Sequence, residues 1–225
     1  MAVLPFKVIY KDEDIIVIDK PSGLLVVPTP KKEKHTLVHI LNEFLKSKNL
    51  SPASPVHRID RETSGIIIFA FNKNSLERLT LQFRHHTIKR IYLAVVQGYV
   101  QEKKGKVDIP LATDPNTHKV FATRSTIASQ PSVTLYRVLQ YLPDLTLLEI
   151  QPQTGRTNQI RVHLAYIGHP VVGERKYAIA NRYPVKFRRV ALHSSKLEIR
   201  HPKTGRIMAF KSPLPKDIKT LIEGK

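Results

Sequence analysis

Two stretches set reactive side chains at spacings that could do chemistry. In His57-Arg58-Ile59-Asp60-Arg61-Glu62-Thr63-Ser64-Gly65, a carboxylate stands between two arginines. An aspartate beside an arginine is by default a surface ion pair worth little. Here Thr63, Ser64 and Gly65 are small, which suits a tight turn and a close backbone approach. Loop residues held by a rigid strand are where binding and catalytic groups concentrate. An ionised Asp60 so held could act as a nucleophile or as a general base. The second stretch is Gln153-Thr154-Gly155-Arg156-Thr157-Asn158-Gln159-Ile160-Arg161. It opens a helical pattern with two arginines close by, and a helix N-terminus with such neighbours attracts anions.

Regular elements must position both stretches. After Gly65 comes Ile66-Ile67-Ile68-Phe69-Ala70, a β-branched and aromatic run that reads as a buried strand. Lys7–Tyr10 and Asp14–Asp19 read as two strands around an acidic turn, broken by Lys20-Pro21-Ser22-Gly23. Thr36 caps a helix over 37–48, with Leu37, Ile40, Leu41, Phe44 and Leu45 at helical spacing, and Asn74 caps another over 75–84. Ile88–Gly98 reads as a strand containing Tyr92. Residues 100–130 show no strong periodicity and read as a long insertion. A hairpin turns at Pro143-Asp144 between 133–139 and 145–151. Thr157 caps a helix over 159–167 that Gly168 ends, and strands over 190–200 and 206–211 flank His201–Gly205.

The pattern His57-Arg58-Ile59-Asp60-x-x-Thr63-Ser64-Gly65 resembles the H-R-L-D-x-x-T-S-G signature of RluA-type pseudouridine synthases, with Ile59 in the usual leucine slot. Three further elements resemble that family in order. Asp19-Lys20-Pro21-Ser22-Gly23-Leu24 matches its opening, and Arg90-x-Tyr92-x-Ala94 matches K-x-Y-x-A with Arg for Lys. Thr154–Pro170 matches T-G-R-T/S-H-Q-I/L-R-V-H-L-A-x-x-G-H-P, with Asn158 where His is usual. Gly173-Glu174-x-x-Tyr177 resembles G-D-x-x-Y, with Glu for Asp. The resemblance implies one α+β catalytic domain over 1–225, without the appended S4-type RNA-binding domain. Its sheet would be mixed and largely antiparallel, with flanking helices and a basic cleft. Asp60, Tyr92 and Arg161 would be brought together there as the catalytic group. Arg161 would aim Asp60 and lower its pKa, and Tyr92 would face the flipped uracil. Arg58 would fill the space the base vacates, and Ile160 would form an apolar wall. The RNA would be ribosomal, transfer, or both, and no cofactor would be needed.

Composition agrees with an RNA partner. Lys and Arg number 37 against 18 Asp and Glu, a net charge of +19 with a pI near 10.2. Such a field draws polyanions. The charge is uneven: residues 1–36 carry +1, whereas 174–211, with eleven basic and two acidic residues, carry +9. Arg188 and Arg189 lie in that segment and, with Arg61 and Arg156, are expected to meet phosphates. There are no cysteines, which excludes disulfides, zinc–thiolate sites and thiol nucleophiles. Histidines lack metal-ligand spacing, so no metal is expected. Lys203-Thr204-Gly205 has no Ser-x-x-Lys partner, which removes a β-lactamase-type reading. No signal-peptide pattern and no apolar run of membrane length occurs, so a cytoplasmic monomer off the membrane is expected. The competing class is a non-catalytic RNA-binding or ribosome assembly protein on the same fold.

Overall fold

The computed structural model describes residues 4–125, 127–178, 185 and 187–224. In chain order the elements are β1 (Lys7–Lys11), β2 (Ile15–Lys20), α1 (Leu37–Ser47), β3 (Ser54–Pro55), β4 (Ser64–Ala70), α2 (Lys73–Arg84) and β5 (Lys89–Gln97). There follow β6 (Lys104–Asp108), β7 (Leu111–Thr113), β8 (Val120–Ala122), β9 (Ser129–Gln130), β10 (Val133–Leu142) and β11 (Leu145–Pro152). The chain closes with α3 (Gln159–Tyr166), β12 (Leu192–Arg200), β13 (Ile207–Lys211) and α4 (Lys216–Glu223). The fold is mixed α and β with largely antiparallel pairing. The chain divides into two compact units, Met1–Arg90 with Ser194–Pro213 and Ile91–His193 with Leu214–Lys225.

The first unit is built on β4, all seven residues of which are buried. β2 pairs with it antiparallel from Ile15 opposite Ala70 to Lys20 opposite Gly65, and β1 pairs with β2. β12 lies on the other side of β4 and carries β13. Alternation along the strands sends Ile15, Val17, Ile66 and Ile68 into one cluster with Leu79 of α2, Ile88, Leu197, Ile199 and Phe210. Ile67 and Phe69, on the opposite face, are fully buried as well, so β4 reads as a continuous apolar run. Gly65 is required rather than incidental. Its φ is +111°, and a Cβ there would overlap the carbonyl oxygen of Ser194. α2 starts two residues earlier than the sequence predicts. Its cap is Asn72, whose side chain accepts Ser75 N, rather than Asn74.

In the second unit the antiparallel order is β5-β11-β10-β6. The expected hairpin is present, with Asp144 in its turn at φ 56° and accepting from Gly98 N. The segment 100–130 is more ordered than its weak periodicity implies. β6 extends the sheet, and β7, β8 and β9 form a second small sheet in the order β8-β7-β9. Leu111 and Val120 of that sheet pack with Val162 of α3. The signal was weak because these strands are two to five residues long, too short to show a period. α4, not expected from the sequence, begins after Pro215 and ends at Gly224.

Candidate active site

The loop carrying Asp60 belongs to the first unit and is fastened mainly through its main chain. Lys20, the last residue of β2, is completely buried. Its Nζ donates to the carbonyls of Pro21 (2.8 Å), Leu24 (2.8 Å) and Arg61 (3.1 Å). The Arg61 carbonyl also accepts from Gly23 N (2.8 Å), and Arg61 Nε returns a bond to Gly23 O (3.0 Å). Ser22 Oγ donates to Glu62 O (2.7 Å), and Thr63 N donates to Asp60 O (3.1 Å). The carbonyls of residues 61 and 62, just after Asp60, are therefore set by the Lys20–Leu24 segment, and two of the matching sequence elements become one piece of structure. Asp60 itself is half-buried, and Arg58 and Arg61 are exposed.

Upstream, His57 anchors the loop to β4. Its Nε2 accepts Ile68 N at 3.2 Å, and its ring stacks on Phe83 at 4.4 Å between centroids. Burial, then the charge of Arg90, holds its imidazole down to about 3, against a smaller opposing contribution from the Arg58 backbone. A ring nitrogen that accepts an amide must be unprotonated, so hydrogen bonding and burial both make His57 neutral.

The second unit holds Tyr92, Arg156, Ile160, Arg161, Arg188 and Arg189. Tyr92 lies in β5 opposite Ile150 and is 8% exposed, as is Ile160 at the start of α3. Gln159 locks the α3 entrance: its Oε1 accepts from Thr154 Oγ1 and Arg156 N, and its Nε2 donates to Val133 O and Thr134 Oγ1. The residue before α3 is Asn158 rather than Thr157, at φ 54°, a left-handed conformation that Asn tolerates better than most. One turn on, Arg161 Nε and Nη2 donate to Glu174 at 2.6 and 2.9 Å. Burial alone would raise the Glu174 carboxyl. The Arg161 hydrogen bonds and charge, with the N–H groups of Lys176 and Tyr177, outweigh it and hold the group below its ordinary value. His163 is also buried, bonded to Thr134 Oγ1 and Ile109 O, and its imidazole is lowered chiefly by burial.

The basic surface needs one correction. Arg188 is exposed as expected, but Arg189 is only 9% exposed. Its Nε and Nη2 donate to Asp217 at 2.7 and 2.9 Å, and its Nη1 donates to Val190 O. Arg189 thus ties α4 to the chain and offers no open charge to a phosphate. The sequence places Asp217 too far along the chain for this pairing to be read from spacing. Arg156 is exposed, with Nε donating to Pro131 O at 3.3 Å. Arg182 and Lys186 of the same basic segment lie outside the described residues.

Among the described residues, Asp12, Asp14 and His201 form the cluster nearest to a metal set. Its ligand atoms are engaged: Asp12 accepts from Tyr10, Asp14 N, Ile15 N and His201 Nε2, and Asp14 accepts from Asn72 and Ser75. No described helix is long and apolar enough to cross a membrane.

Comparison with known proteins assigns the class. The sequence profile of the RNA pseudouridylate synthase family matches residues 14–166, a span that includes Asp60, Tyr92 and Arg161. The chain is 38% identical, over 98% of its length, to ribosomal large subunit pseudouridine synthase D of Nitrosomonas europaea, of which it covers 65%. It is also 38% identical, over 95% of its length, to an uncharacterised RNA pseudouridine synthase of Bacillus subtilis, of which it covers 71%. The chain therefore spans about two thirds of these curated relatives. Human RNA pseudouridylate synthase domain containing 4 superposes with a TM-score of 0.79 at 26% identity, covering 94% of this chain and 90% of that one. Its human counterpart, domain containing 1, is alike in fold, with a TM-score of 0.76 at 23% identity over 97% of this chain and 94% of that one. The chain belongs to the RNA pseudouridine synthase family, enzymes of the isomerase class.

Proposed function

We propose that this protein isomerises uridine to pseudouridine in large-subunit ribosomal RNA, with Asp60 acting on the ribose. The C1′–N1 bond breaks, the uracil turns, and C5 bonds to C1′; the C5 proton leaves and N1 gains one, so the product is an isomer. Asp60 attacks C1′ or takes a proton from C2′, and either role needs an ionised carboxylate with a fixed direction. The observation that carries this reading is the main-chain cage around residues 60–63, built by a buried lysine and the segment after it. A surface ion pair would need no such support.

Tyr92 offers a ring to the uracil and a hydroxyl near C5. Arg161 directs donors at the reacting group, and Ile160 walls the base. The target base leaves its stack, which costs a few kcal/mol, about what base flipping generally requires. Exposed Arg58, Arg61, Arg156 and Arg188 meet phosphates or the vacated space. Ribosomal RNA is the preferred substrate because relatives at 38% and 33% identity are named for it. The protein acts as a cytoplasmic monomer with no cofactor or metal.

The test is release of C5 hydrogen from transcripts labelled with [5-³H]uridine, after exhaustive chelation. Large-subunit ribosomal RNA should release label and transfer RNA should not. Release from transfer RNA alone would move the substrate, loss restored by one metal would overturn the metal-free mechanism, and no release from either would favour a non-catalytic RNA-binding protein.

A further inference from the structure

A guanidinium carries five N–H bonds in one rigid plane. Three of those on Arg161 have partners near the α3 entrance: Nε and Nη2 donate to the two oxygens of Glu174, and Nη1 donates to Asn158 Oδ1 at 3.2 Å. Three fixed bonds define the plane, so the direction of the other two N–H bonds is fixed with them. Neither acceptor is loose. The Glu174 side chain is fully buried, and its Oε1 also accepts Lys176 N at 2.7 Å and Tyr177 N at 3.2 Å. Asn158 Nδ2 donates to the Tyr177 hydroxyl at 2.8 Å, which leaves its Oδ1 facing Arg161. A flipped amide would set an NH2 group against the guanidinium. The Tyr177 ring lies 5.4 Å from Arg161 Cζ.

Positions 158 and 174 are two at which the sequence departs from the family pattern, Asn for His and Glu for Asp. Both departures end on the same guanidinium. An aspartate at 174 would withdraw its carboxylate by about 1.5 Å, one C–C bond, and could not keep both bonds to Arg161 from this backbone.

We propose that Asn158 and Glu174 are positioning residues that act as one unit through Arg161, fixing its guanidinium plane for the isomerisation. This rests on the function proposed above. A guanidinium already paired with a buried carboxylate contributes the direction of its donors more than net charge. Disturbing the pair therefore lowers the rate at saturating RNA and leaves RNA affinity alone.

The test uses Glu174→Asp, Asn158→Ala, Tyr177→Phe and the doubles Glu174→Asp/Asn158→Ala and Asn158→Ala/Tyr177→Phe. Single-turnover rates are measured on a large-subunit ribosomal RNA transcript labelled with [5-³H]uridine, beside RNA Kd and thermal midpoint. Expected losses in saturated rate are about thirtyfold for Glu174→Asp, about tenfold for Asn158→Ala and about threefold for Tyr177→Phe, with Kd within about twofold. Each double should be no worse than its more damaging single, because both changes act through one group. If Glu174→Asp fails to fold, Glu174→Gln, which keeps the length and removes the charge, takes its place alone and with Asn158→Ala, with the same expectations. Saturated rates within about twofold of an active wild type, losses that multiply in the doubles, or losses that appear only in Kd would overturn the inference while the function stands. A wild type silent on the transcript overturns the function and this inference with it.

Discussion

The Asp60 loop and the Arg161 guanidinium are held by opposite means. Around Asp60 the fastening is largely main chain: the carbonyls of Asp60, Arg61 and Glu62 accept from Thr63 N, Lys20 Nζ, Gly23 N and Ser22 Oγ. Around Arg161 it is side chain on side chain, through Glu174 and Asn158. The two designs fail differently. A main-chain cage tolerates varied side chains at 61 and 62, but not loss of the buried lysine or a Cβ at Gly65. A side-chain lock is sensitive to carboxylate length and to amide orientation.

The largest effect expected on either side is Asp60→Asn, which keeps size and removes charge. Turnover should fall at least about a thousandfold, because a nucleophile or essential base is lost, while RNA binding stays near wild type. Residual turnover above that level, measured by single-turnover kinetics, would remove Asp60 from the chemistry. Next is Lys20→Met. It removes the donor to the buried carbonyl of Leu24 and one of the two donors to Arg61 O. Urea denaturation should show a loss of roughly 3 kcal/mol, from acceptors that lose a buried donor. No loss of stability would mean that the cage is incidental.

Acid should sharpen the comparison further. His57 is held neutral with a value of about 3, below the ordinary 6.5. The unfolded chain therefore binds its proton first. The stability His57 contributes is complete above about pH 6.5 and is lost as pH falls from there toward 3. His163, lowered in the second unit, has the same sign. Glu174 enters later: its depressed value makes its contribution complete above the ordinary carboxylate range and lost only as pH falls through the folded value. His57→Gln should be less stable at pH 7 yet show a shallower stability–pH slope between 6.5 and 4. An unchanged slope would show that the folded protein protonates His57 after all.

The smallest effects separate two neighbouring arginines. Arg188→Gln should lower the slope of log K against log salt by up to about 1 and leave stability alone. Arg189→Gln should leave the salt slope unchanged and cost roughly 1–3 kcal/mol, because a largely buried partner of Asp217 is removed and the carboxylate stays half exposed. Equal salt effects from both would contradict the burial of Arg189.

What was legible in the sequence was local. The apolar run of β4, the turn before it and the strand pair β1–β2 follow from residue type and spacing, and the motif order followed from resemblance. The misses are tertiary. Lys20 reads as an ordinary polar end to a strand, but the turn that follows folds the carbonyls of Pro21 and Leu24 back onto its Nζ, and Arg61 O arrives from elsewhere. The sequence pattern points to Asn74 as the cap of α2, but Ser75 N donates to the side chain of Asn72. Thr157 is a good cap type, but the cap position falls to Asn158, which is left-handed and spends its side chain on Arg161 and Tyr177. Arg189 carries a charge that adds to the sequence total, although Asp217 neutralises it.

The most direct measurement is nucleotide-resolution mapping of pseudouridine in unmodified large-subunit ribosomal RNA after incubation with the wild-type protein or Asp60→Asn. The account predicts new pseudouridine at one or a few defined positions with wild type, and none with the variant at RNA concentrations where both are bound. Pseudouridine made equally by both proteins would contradict the role of Asp60, and its absence with the wild type would contradict the proposed substrate.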